Sequence, residues 1–282
     1  MKFAWANAES FDSASAVLFG VPDESGSSSQ RKGVAQAPLR IREVSNEREV
    51  FERGGMMFTT VPFCGSQVPI FDMGDIARTE VSSTVERIAR AGKLAVTMGG
   101  DHSITAEVLK GLDRLGMKIS VVYFDAHPDF ICSSREYYGS VVCDIFDYRN
   151  IDFASSIEIG IRAPEPEELL NIRRRHLETI TPLAIEEHGL SHVIEEIKLR
   201  AGGHIYVSFD MDAIDPAYAA GVSTPVPGGL SSSQALYILR KLSGMGLVGF
   251  DVMEVCPPYD VQSMTSHLAA RLIMACLPDV TG

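Results

Sequence analysis

Short apolar runs alternate along this chain with longer segments whose apolar residues recur every three or four positions. Ala14 to Gly20 (A-S-A-V-L-F-G) reads as a first buried strand, followed by the turn-forming stretch V-P-D-E-S-G-S-S-S. A helix is expected from Ala37 to Ser45, started after Pro38, and then irregular chain or short strands around Gly54, Gly55 and Gly65. Val68 to Phe71 is strand-like and runs into D-M-G-D; Val81 to Ala91 has helical periodicity. Leu94 to Met98, Ile119 to Phe124, Ile157 to Ile161, Ile205 to Phe209 and Leu247 to Val252 are further strands. Between and after them come helices at Ile104 to Leu115, Val141 to Phe146, after Pro164 or Pro166, Leu183 to Leu199, Ser233 to Leu242 and Met264 to Leu277.

Strands that are apolar on both faces, separated by helices, predict an α/β fold with a parallel sheet covered on both sides. No linker, repeat or low-complexity stretch interrupts the pattern, so residues 1–282 read as a single domain. In such sheets ligands gather outside the carboxyl ends of the strands. Here those ends carry the unusual polar residues: G-G-D-H-S after Met98, D-A-H-P-D after Phe124, and D-M-D-A-I-D-P after Phe209.

Composition changes this picture little. The chain is 45% hydrophobic and 22% charged, as an ordinary globular domain is. A net charge of −12 argues against nucleic-acid or anionic-membrane partners and suits a small cationic substrate. Five widely spaced cysteines without C-x-x-C predict buried thiols in a reducing compartment, not disulfides or structural zinc. With no signal-peptide pattern and no bilayer-length apolar run, a cytoplasmic location is expected.

The chemistry lies in the strand-end clusters. Asp101 and His102, then Asp125, His127 and Asp129, then Asp210 and Asp212 bring carboxylates and imidazoles to neighbouring strand ends. Alternation places Asp210 and Asp212 on one side if the strand continues through them, and the three polar groups of D-A-H-P-D likewise. Any one cluster could be a turn or a cap. Together, without cations, so many carboxylates in one crevice would repel strongly. Two imidazoles and about four carboxylates exceed what one ion uses and suit two divalent cations with bridging carboxylates. Oxygen-rich ligation favours Mn²⁺ over other divalent transition metals. A single-zinc site would use fewer ligands. Such a pair acidifies a water toward neutrality, so the expected chemistry is metal-assisted hydrolysis.

In order and spacing, G-G-D-H-S, D-A-H-P-D and S-F-D-M-D-A-I-D-P resemble the three signatures of the ureohydrolases (arginase, agmatinase and relatives). The similarity runs on through F-G-V-P, G-I-R, S-T-P-V-P-G-G-L and D-V-M-E-V-C-P-P, and is greatest to small archaeal-type agmatinases. It implies one three-layer domain with an eight-stranded, mostly parallel sheet and helices on both faces, assembled as a homotrimer or homohexamer. It implies two Mn²⁺ per subunit, one on His102, Asp125, Asp129 and Asp210, the other on Asp125, His127, Asp210 and Asp212. Glu254 would bind the guanidinium, Asp129 would handle the proton, and Asp101 would orient its neighbours. The implied reaction is hydrolysis of a guanidino C–N bond, agmatine to putrescine and urea. Arginine, guanidinobutyrate and formiminoglutamate stand as other substrates, and a catalytically weakened member with an assembly or regulatory role as another reading.

The chain departs from the family pattern in one place. Agmatinases and arginases carry a histidine in the loop after D-A-H-x-D, whereas no histidine occurs here between His127 and His176. Depending on register, Val141 or Cys143 takes its position.

Overall fold

Val17 and Phe19 of the first strand point to one side of the sheet, and Ala16 and Leu18 to the other; all are buried, which is why the run has no polar alternate. The computed structural model describes residues 1–47 and 68–277, with the backbone of 52–53 and 56–57. In chain order the strands are β1 (Ala16–Gly20), the small pair β2 (Glu52–Arg53) and β3 (Met56–Met57), β4 (Ile70–Asp75), β5 (Leu94–Met98), β6 (Ser120–Phe124), β7 (Ile157–Ile159), β8 (Glu178–Ile180), β9 (Ile205–Asp210) and β10 (Leu247–Met253). The helices are α1 (Ala37–Ser45), α2 (Val81–Arg90), α3 (Ile104–Asp113), α4 (Val141–Ile145), α5 (Pro166–Arg175), α6 (Pro182–His188), α7 (Leu190–Arg200), α8 (Ser232–Leu242) and α9 (Met264–Cys276).

Eight strands form one sheet in the order β4-β1-β5-β10-β9-β6-β7-β8, every neighbour parallel. One apolar layer packs α1, α7, α8 and α9 on one face, and a second packs α2, α3 and α4 on the other. This is the three-layer α/β architecture expected. A buried ion pair locks α1 to the sheet edge: Arg42 Nε and Nη2 bond the two oxygens of Asp72 at 2.8 and 2.9 Å.

The differences from the sequence reading have local causes. The helix expected from Leu183 to Leu199 is two helices, because Gly189 breaks it at φ 81°. The edge strand β8 is three residues, E-T-I, half-buried except for its last, and carries too little apolar signal to read as a strand. Pro166, not Pro164, opens α5. Gly54, Gly55 and Gly65 lie outside the described residues.

Candidate metal centre

The ends of β5, β10, β9 and β6 adjoin at the middle of the sheet, so the loops that follow them share one crevice. The expectation that Asp210 and Asp212 lie along one extended segment is overturned. Asp210 closes β9, but Met211–Ala213 is a 3-10 turn, and Asp210 caps it by accepting from Asp212 N–H at 2.6 Å. The turn still keeps both carboxylates at the crevice. D-A-H-P-D is likewise not fully extended, since Asp129 sits at φ 48°, a left-handed conformation uncommon outside glycine.

Six side chains meet there. His102 Nδ1 lies 3.0 Å from Asp125 Oδ2, 3.4 Å from Asp129 Oδ2 and 3.1 Å from Asp210 Oδ2. His127 Nδ1 lies 3.3 Å from Asp125 Oδ1 and 3.1 Å from Asp212 Oδ2. Asp125 therefore turns one oxygen to each imidazole. All are buried except His127, which is partly exposed. His102, Asp125 and Asp129, and separately Asp125, His127 and Asp212, bring their ligand atoms close enough to hold a metal ion. Among the described residues, the buried Asp125 Oδ2 has no hydrogen-bond donor assigned to it, as fits an oxygen that ligates a cation. The donor set fits a pair of divalent cations.

The carboxylates draw protons and positive charge into the cluster. Burial opposes charge on His127, but Asp125 and Asp212 outweigh it and push its pKa up to about 12. The His102 ring is raised well above the usual range in the same way, by Asp125, Asp129 and Asp210 against the cost of burial. Burial, and then the charge of Asp125, pushes Asp129 up to about 6. Burial, and then Asp212 and Asp125, raise Asp210 well above the carboxylate range. A divalent ion would supply the positive charge that this cluster of carboxylates favours.

Surrounding groups fix the ligands. Ser208 Oγ donates to Asp251 Oδ1 at 2.9 Å and lies 2.9 Å from His102 Nε2, so it accepts from that nitrogen. With a cation bound, the ring would keep its proton on Nε2 and offer the Nδ1 lone pair to the ion. Thr224 Oγ1 and Ala126 N–H donate to Asp212 at 2.9 and 3.0 Å. Asp101 accepts from Gly26 N–H at 2.9 Å and Ser103 N–H at 3.0 Å, and so holds the loop that carries His102. Glu254 follows β10 at φ 65° and accepts from His102 N–H at 2.9 Å and from Ser223 Oγ. Burial, and then the charge of Asp101, pushes its pKa up to about 8.

Residues 14–278 match the Arginase family. The chain belongs to that family. It is 32% identical to the mitochondrial guanidino acid hydrolase of Homo sapiens, over 94% of this chain and 79% of that protein. It is 31% identical to the guanidinobutyrase of Pseudomonas aeruginosa, over 96% of this chain and 88% of the relative. The structure of the agmatine ureohydrolase of Thermoplasma volcanium superposes with a TM-score of 0.84 at 30% identity, covering 98% of this chain and 94% of the other.

Two parts of this arginase-family site escape the sequence reading. Tyr123, within an apolar strand, puts its hydroxyl 2.7 Å from Asp129 Oδ2 and 3.1 Å from His102 Nδ1. A tyrosine in such a run reads as core, and only its place two residues before Asp125, on the same face, could have flagged it. The second concerns cysteine. Cys132 and Cys143 are joined in a disulfide with Cα atoms 5.5 Å apart, against the expectation of buried free thiols. The intervening loop doubles back, with Ile131 N–H on Gly139 O at 3.1 Å and Glu136 N–H on Asp144 Oδ2 at 3.0 Å, which brings the two sulfurs together. Cys256 and Cys276 are free and buried as expected, and Cys64 lies outside the described residues. Val141 is buried in α4 and Cys143 is in the disulfide, so neither supplies a titratable group at the position of the loop histidine.

Proposed function

We propose that this chain is a binuclear, metal-dependent amidinohydrolase that cleaves the C–N bond of a linear guanidino compound, releasing urea and an amine. The carrying observation is Asp125, buried between two imidazoles with one oxygen toward each. In this reading His102, Asp125, Asp129 and Asp210 would hold one cation, and Asp125, His127, Asp210 and Asp212 the other. Oxygen donors outnumber imidazoles, which favours Mn²⁺. Bound as a pair, the cations supply a water acidified toward neutral pH.

The protein groups do the rest. Glu254 binds the guanidinium, whose positive charge favours the ionised carboxylate against its burial, and orients the guanidinium carbon toward the ligand cluster. Its backbone N–H bonds Gly100 O at 2.9 Å, tying the strand that carries it to the loop that carries His102. Asp129 accepts a proton at its carboxylate and passes it toward the leaving amine. Agmatine is the first substrate to test, because the strongly acidic chain suits a dication and the Thermoplasma volcanium neighbour is an agmatine ureohydrolase. Guanidino acids are the second reading, favoured by the relatives named guanidino acid hydrolase and guanidinobutyrase. The partners are this small substrate and further copies of the chain, as a homotrimer or homohexamer.

Urea release from agmatine, 4-guanidinobutyrate and arginine with added Mn²⁺ is the direct test, and no urea from any of them would sink the proposal. Among the described residues no helix is long and apolar enough to cross a membrane. A cytoplasmic location predicts that Cys132 and Cys143 are reduced in protein trapped by alkylation at lysis; a bonded pair would count against it.

A further inference from the structure

Among the groups hydrogen-bonded to the ligand cluster, Tyr123 stands apart because it engages both sides of one half-site. Its phenol is 2% exposed. It stacks on the His102 imidazole with centroids 4.6 Å apart and planes 9° apart, while its hydroxyl reaches Asp129 Oδ2 at 2.7 Å and His102 Nδ1 at 3.1 Å. The hydroxyl has one proton for two neighbours. The shorter contact is to a carboxylate, which only accepts, so the proton goes to Asp129 and the Nδ1 lone pair is left for a cation.

Asp129 needs such an anchor. Its backbone is held at φ 48°, where a non-glycine residue is strained and persists only when its surroundings over-determine it. Val142 N–H bonds its carbonyl at 3.0 Å, which fixes the main chain but leaves the carboxylate free to rotate. Tyr123 removes that freedom. It also covers one face of the imidazole, whose Nε2 edge Ser208 already holds. We propose that Tyr123 is a positioning residue for the His102–Asp129 half of the metal centre, setting the affinity of the ion bound there and leaving the His127–Asp212 half to its own supports. This rests on the two-cation reading of the site.

The test is calorimetric titration of the metal-free full-length protein with Mn²⁺, comparing wild type with Y123F and with Y123M, which lacks both hydroxyl and ring. Both variants are expected to lose roughly 10–100-fold in affinity for one ion and to keep wild-type affinity for the other. Metal-free Y123F, which retains the ring, is expected to melt within about 5 °C of wild type. A purely structural role would weaken both ions together or lower the melting temperature of the metal-free protein, and either result overturns the proposal. Wild-type affinity for both ions in Y123F and Y123M overturns it as well, while leaving the two-cation reading intact. Failure of the wild type to bind two ions removes that reading and this inference with it.

Discussion

Glu158 on β7 pairs in register with Tyr123 on β6 and Thr179 on β8, is 1% exposed, and has no hydrogen bond to either carboxylate oxygen among the described residues. Burial, and then the charges of Asp125, Asp129 and Glu168, raise its pKa well above the ordinary 4.5. The neutral acid is therefore the form that the fold tolerates. Its contribution to stability is full below the unfolded pKa of about 4.5 and is lost as pH rises toward the folded value. E158Q should be nearly neutral at pH 4 and more stable than wild type by about 1–3 kcal/mol at pH 8, as read by urea unfolding. An equal difference at both pH values would contradict this account. At the substrate end of the crevice, E254Q should cost roughly 100-fold or more in kcat/KM for urea release with Mn²⁺ binding preserved; wild-type turnover would remove Glu254 from substrate binding. At this scale much of the site was legible. His102, Asp125, His127, Asp129, Asp210 and Asp212 are polar residues where an apolar strand stops, and the structure brings all of them together. Tyr123 and Glu158 were not legible, because within a strand the sequence reports which side chains are buried and not what they face.

The elements divide by length and burial. The central strands β5, β6, β9 and β10 are mostly apolar on both faces and lie within a residue or two of expectation, because turn-forming or polar residues follow each apolar run. The short edge strand β8 and the Gly189 break were hidden by mixed polarity and by a glycine that helical periodicity tolerates. Pairing of Cys132 with Cys143, eleven residues apart in the sequence, depends on how the loop folds back and not on either cysteine. The same loop is tied to α5, where the Glu167 carboxylate accepts from Cys132 N–H at 2.7 Å and Ser133 N–H at 2.8 Å, and to the loop after β1 through Tyr138 N–H on Gly26 O at 3.1 Å. When oxidised, the Cys132–Cys143 pair staples a segment beside the crevice. Reduction or C132S should destabilise the fold by about 2–3 kcal/mol. It should also speed proteolytic cutting between residues 133 and 139, followed by mass spectrometry of the fragments. Unchanged cleavage would show that hydrogen bonds alone hold the loop.

For the whole molecule, the centre is a concentration of negative groups in an already acidic chain, so its occupancy should govern global stability. At a Mn²⁺ concentration about a hundredfold above Kd, the bound form should gain about 2.7 kcal/mol per independent site over the chelated protein. Differential scanning calorimetry with Mn²⁺ and with a chelator checks this, and coincident melting curves would mean that the cluster does not bind the metal in the native state. The strand order carries a further consequence. β10, the last strand among the described residues, lies between β5 and β9 in the middle of the sheet. Until it is synthesised, β4-β1-β5 and β9-β6-β7-β8 have no ladder to join them. His102 then belongs to one fragment and the carboxylates that face it to the other. A chain lacking β10 would keep Asp125, His127, Asp210 and Asp212 on one fragment and lose His102 to the other, so β10 is what completes the His102 half of the site.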